Sequence, residues 1–134
     1  PTKAMRPGAE DGCEILSRRV TEYAYAVCKD RPCFHISLLI DVSPFCDCYP
    51  ANDAPVIPDV GMFASFDPVA LDKACADAAN RQHAIADSFL GEKHAEPHAD
   101  HFHTMHPDTK WEAGIEQGVK LGFGSDQYEL ITME

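Results

Sequence analysis

The sequence predicts a small layered α/β domain, a mixed sheet with helices packed on it, and three observations carry that expectation. Residues 33–42 and 60–66 are apolar runs rich in β-branched and aromatic side chains, which read as strands. Residues 11–29 and 68–79 repeat their apolar positions at helical spacing. The resulting order, α, β, β, α, α, β, leaves room for a strand-helix-strand crossover, and such alternation builds helices onto a sheet.

The first helix opens at Asp11 and Gly12 and runs to about Lys29. Leu16, Val20, Tyr23, Ala24 and Val27 form a single apolar stripe, so the helix is a packing element. Pro32 ends it, because proline has no amide to donate and disfavours α geometry in the residue before it. In the strand that follows, Phe34, Ile36, Leu38, Ile40 and Val42 point to one face, read as core, and Cys33, His35, Ser37, Leu39 and Asp41 to the other. The second strand, 60–65, is expected to lie beside the first in one sheet. Asp67-Pro68 starts the next helix by two independent signals, an Asp N-cap and a Pro at N1. Its alanines allow close approach to a sheet. Residues 83–106 lose periodicity and read as a long mobile loop, with one helical turn around 85–90. Pro107-Asp108-Thr109 opens the last helix, with Trp111, Ile115, Val119 and Gly118 inward and Gly122 or Gly124 as its left-handed stop. Residues 128–133 read as a final strand.

At 134 residues the chain is long enough for one domain with a real core. Residues 1–10 read as a disordered or linker tail and 11–134 as the domain, the C-terminal part of a longer protein. The 45% hydrophobic fraction excludes a disordered chain, and the net charge of -11 argues against a nucleic-acid partner, which needs clustered cations. The sequence has no run of ~20 apolar residues and no basic-then-apolar leader pattern, so neither a membrane partner nor a secreted location is expected; the expectation is cytoplasmic. Its six cysteines are irregularly spaced and read as reduced thiols.

Between the two strands lies the densest mixture of thiol, carboxylate and proline in the chain. Pro44, Pro50, Pro55 and Pro58 exclude regular structure, so 44–58 is an ordered loop, and long loops carried on strands are more often functional than passive. Cys46-x-Cys48 places two thiols close enough to chelate one soft or borderline ion; the spacing alone fits a half-buried thiol pair equally well. Asp41, Asp47, Asp53, Asp59, Asp67 and Asp72 recur here without matching an EF-hand, and most suit turns and caps. Five histidines fall between His94 and His106. Of these, His106 is held in place by the Pro107 after it, whereas His101-x-His103 reads as an adventitious chelator on a surface loop.

Several segments taken together resemble the C-terminal part of a bacterial and archaeal family of unknown function described as uncharacterised iron-sulfur center proteins. They are 20–27, Asp41-Val42-Ser43-Pro44-Phe45-Cys46-Asp47-Cys48, 53–61, Asp67-Pro68-Val69-Ala70-Leu71-Asp72, His106-Pro107 and Gly122-Phe123-Gly124-Ser125, in that order. Full-length members carry an upstream ferredoxin-like insert, Cys-x-x-Cys-x-x-Cys with a further Cys before Pro, and this chain has no such run. The resemblance therefore implies an iron-sulfur cluster outside this chain, with the ferredoxin-like region of the parent protein as partner.

The expected function is a metal- or cofactor-binding domain with a redox role. Its metal site, for zinc or iron, is expected at Cys46, Cys48, His106 and His35, with Asp41, Asp53 and Asp59 as cofactor-binding carboxylates. Two alternatives stand beside it. One is an enzyme domain in which a thiol or carboxylate of loop 46–59 acts on a small substrate; the other is a scaffold that docks the ferredoxin-like region.

Overall fold

The computed structural model describes residues 12–46, 49–50, 54–93 and 99–133. The elements are α1 (Gly12–Cys28), β1 (His35–Leu39), β2 (Gly61–Ser65), α2 (Pro68–Asn80), α3 (Phe89–Glu92), α4 (His101–Met105) and α5 (Glu112–Leu121). The expected α/β architecture is present: β1 and β2 pair, and helices pack on them. The pairing is antiparallel, with His35 opposite Ser65, Ser37 opposite Phe63 and Leu39 opposite Gly61. The two predicted strands are therefore neighbours, joined by the long proline-rich loop. The expected tail, 1–10, lies outside the described residues.

Local signals act where they were anticipated. Asp67 caps α2, its Oδ1 accepting from the Ala70 amide at 2.9 Å, with Pro68 in the first turn. The second oxygen, Oδ2, accepts from the Ser125 amide at 2.8 Å, so one carboxylate ties the start of α2 to the chain beyond α5. Gly122 ends α5 at φ 68°, in the left-handed region where glycine avoids a Cβ clash.

Three expectations are corrected. The face of β1 that carries Phe34, Ile36, Leu38 and Ile40 is exposed, as are Met62, Ala64 and Phe66 on β2; Ile36 keeps 59% and Phe66 79% of its surface open. α2 packs instead on the face bearing His35, Ser37, Leu39, Gly61, Phe63 and Ser65. The alanines of α2 let the helix lie close to that face. The apolar stripe of α1 is likewise left unburied. No residue of α1 is buried, and Leu16, Val20, Tyr23 and Val27 are exposed. Its contact with α5 is made by Ser17, Thr21, Glu22 and Arg18, because Gly114 and Gly118 remove the side chains that would separate the helices. The third correction is the C-terminus: residues 128–133 form no strand. Within α5 the buried residues are Ala113, Gln117 and Gly118, while Val119 stays exposed.

The core sits below the loop. Val56, Ile57, Ala79, Leu90 and Met105 form it, with Leu39, Val42, Phe89 and Phe102 packed around them. Leu90 and Met105 belong to α3 and α4, two short helices in the region that aperiodic sequence assigned to a loop. Val56 and Ile57 come from the far end of the proline-rich loop, so the loop is anchored in the centre of the molecule.

Candidate functional site

The near end of the loop leaves β1 through Asp41, whose φ of 47° makes the sharp turn that starts it. The Asp41 amide donates to Asp59 Oδ1 at 2.9 Å, which closes the loop at its neck. Of the three carboxylates expected to bind a cofactor, that of Asp59 is thus bound to the Asp41 backbone across the neck, and both residues are exposed. The third, Asp53, lies outside the described residues, as does Cys48. Further in, the Val56 amide donates to Val42 O at 2.8 Å and the Ile85 amide to Val56 O at 3.0 Å. The loop's two arms are therefore bound to each other and to the core.

His106 stands at the end of α4, against the loop. Its Nε2 donates to the buried carbonyl of Pro44 at 2.6 Å, which leaves Nδ1 with its lone pair in the neutral ring. The ring also lies edge-on to Phe45 (5.4 Å between centroids) and stacked on Phe89 (6.1 Å). These contacts hold one shoulder of the loop while Cys46 is exposed beside it. His106 is thus near the loop as expected. His35 is not: it begins β1, whereas Cys46 lies beyond the other end of that strand.

Residues 3–77 match a family described as Domain of unknown function (DUF362). The chain belongs to that family. No curated protein and no solved structure matches it. The part of the chain that matches DUF362 contains α1, both strands, the loop and most of α2, and hence Asp41, Cys46 and Asp59. Two further groups of the DUF362 chain were not singled out by sequence reasoning.

In the first, Cys28, Cys33 and His35 gather at the junction of α1 and β1, with one donor atom of each within 4.8 Å of the others. The signal in the sequence is the spacing Cys-x4-Cys-x-His, which acquires meaning only once a turn folds Cys33 back on the helix end. This junction opens on a groove of about 910 Å³ between α1, β1, α2 and α5. Leu16, Val20, Ala24 and Val27 of the α1 stripe line one wall of the groove, and its polar groups include Ser37, Asp72 and Cys75. Burial raises the Asp72 carboxyl above its ordinary range, partly offset by nearby His35. Burial likewise raises the Cys75 thiol, which Ser37 draws back and Asp72 pushes further. Cys28 is raised by burial and by its neighbour Cys33. Neither Cys28 nor Cys75 is poised as a thiolate nucleophile.

In the second, Asp100, His103 and Glu112 converge. Here the carboxylate is already occupied. Asp100 Oδ1 accepts from the Phe102 and His103 amides, and Oδ2 from Trp111 Nε1 at 2.8 Å and His103 Nδ1 at 2.9 Å. It is a helix cap and a tie to Trp111. His101 points the other way, buried, donating from Nε2 to Gln82 O at 2.8 Å. Two residues apart on a helix, His101 and His103 face opposite sides, so they do not chelate together.

Among the described residues no helix is long and apolar enough to cross a membrane.

Proposed function

We propose that this domain is the metal- or cofactor-binding module of an iron-sulfur center protein with a redox role, and that loop 46–59 is its binding element. One observation supports it above others: the loop is braced before any ligand arrives. Pro44 is buried and held by His106, Val56 and Ile57 are in the core, and Cys46 is exposed between these anchors. Ordering one backbone residue costs ~1 to 2 kcal/mol, so a loop whose two ends are already held gives up less when an ion binds. Thiolates suit zinc or iron, and His106, held against Pro44 and Phe45, carries an imidazole of the borderline donor class.

The test is the metal content and visible absorption of protein made without a histidine tag. Stoichiometric zinc or iron is expected, with one equivalent lost in Cys46→Ser and in Cys48→Ser. Metal-free protein whose Cys46 and Cys48 alkylate as fast as unfolded thiols, with or without chelator, overturns the proposal.

A second function, docking of a ferredoxin-like region, is favoured by the bare sheet face of Phe34, Ile36, Leu38, Ile40, Met62 and Phe66. Contiguous apolar surface of this kind marks interaction sites. The two functions are compatible, since the loop rises from the end of the same sheet.

A further inference from the structure

We propose that Cys28, Cys33 and His35 form a second metal site, separate from loop 46–59, that takes Zn²⁺ through two thiolates and one imidazole and keeps its fourth position open to the groove.

Three features of the chain build the site. Cys28 is the last residue of α1, and the Arg31 amide returns to its carbonyl at 3.1 Å while Asp30 takes a φ of 59°. This tight turn reverses the chain within a few residues and lays Cys33 against the helix end, its Sγ 3.8 Å from Cys28 O. Cys33 and His35 are then two residues apart along extended chain, so their side chains leave by the same face. The result is one donor from a helix terminus and two from one edge of a sheet, all half-buried.

The donor atoms lie within 4.8 Å of one another. Around a tetrahedral zinc, with Zn–S of ~2.3 Å and Zn–N of ~2.0 Å, they stand roughly 3.5 to 3.8 Å apart. Each donor is carried on a rotatable χ1, which allows side-chain rotation to narrow that difference.

An independent observation points to a ligand here. His35 Nε2 is buried and has no hydrogen-bond partner. A buried polar nitrogen left unsatisfied costs ~1 to 3 kcal/mol, and such groups are rare enough to require a reason. A metal ion accepting that nitrogen's lone pair supplies one. Among the described residues no fourth histidine, cysteine or carboxylate joins the cluster at the same range, so the fourth position falls to water or to a small ligand in the groove. Three protein donors with one open position is the arrangement of zinc sites that bind exogenous ligands.

Binding releases the protons of any ligand thiols that carry them, and charge is balanced by the ion, so the step needs no oxidant or reductant. The experiment uses Co²⁺ as a spectroscopic probe and Zn²⁺ as competitor on the full chain, reduced and freed of metal by chelator. A thiolate-to-cobalt charge-transfer band is expected in wild type and in the Cys46→Ser, Cys48→Ser double variant, and it disappears on adding Zn²⁺. Added to that double variant, Cys28→Ser, Cys33→Ser and His35→Gln each lose or strongly weaken the band, with Trp111 fluorescence confirming that they fold. In wild type, Zn²⁺ protects Cys28 and Cys33 from alkylation while Cys13 and Cys75 react as before. A band lost in the Cys46, Cys48 variant but kept in Cys33→Ser overturns this site and leaves the loop proposal standing. No band in any variant, or no protection of Cys28 and Cys33, overturns it outright.

Discussion

Asp100 satisfies four donors with one carboxylate, and its behaviour with pH follows from that. Burial alone would raise its pKa, but hydrogen bonds from Trp111 and His103 outweigh burial and hold it below the ordinary value of 3.8. A carboxyl depressed on folding stabilises the native state above its unfolded pKa, and that contribution is lost as pH falls through the lower folded value. Trp111 is the only tryptophan, so its emission reports on this contact directly. Asp100→Ala removes the α4 cap and the Trp111 bond and is expected to cost about 1 to 3 kcal/mol in urea denaturation. Asp100→Asn keeps a capping oxygen and is milder. In wild type the Trp111 emission should shift below pH 3.8; the same acid shift in Asp100→Asn would show that another group is responsible.

At the scale of elements, the decisive fact is which face of the sheet is covered. Ile57, from the loop, is 2% exposed, whereas Ile36, from the middle of a strand, is 59% exposed. Truncating a buried Ile removes transfer energy and leaves a cavity, so Ile57→Ala is expected to cost ~2 to 5 kcal/mol. Ile36→Thr keeps β-branching on an open surface and should stay within about 0.5 kcal/mol. Urea midpoints of the two variants check this, and equal losses would mean that the bulky face is covered after all. The loop is therefore a structural element: deleting its core anchors would destabilise the whole domain.

At the scale of the whole molecule, apolar surface and net charge oppose each other. The sheet face and the α1 stripe favour association, while a net charge of -11 keeps copies apart at low ionic strength. Salt shortens the range of that repulsion to ~8 Å at physiological strength without weakening the apolar contact. Light scattering should therefore show association rising with salt, and an Ile36→Lys, Leu38→Lys double variant should abolish the rise. Association that falls with salt would assign it to ion pairs instead. The variant also tests the docking function, because it removes the surface that a ferredoxin-like partner would cover.

Local chemistry was legible in the sequence wherever a residue acts on its own neighbours. Asp67-Pro68 starts α2, Gly122 stops α5, the described residues of 44–58 form no helix or strand, and apolar runs mark both strands, because caps, φ restrictions and side-chain patterns are short-range. The nearness of His106 to the loop was likewise anticipated, from the proline that holds it. What the sequence could not decide was which of two faces becomes the inside. Hydropathy ranks the bulky face of β1 as core, but α2 packs on the other face, where Asp72 and Cys75 meet His35 and Ser37, and that choice is made by a helix distant from the strand in sequence. The gathering of Cys28, Cys33 and His35 was hidden for the same reason. Their spacing matches no familiar ligand motif, and only the turn at Asp30, which carries the chain from a helix end onto a strand, converts that spacing into convergence.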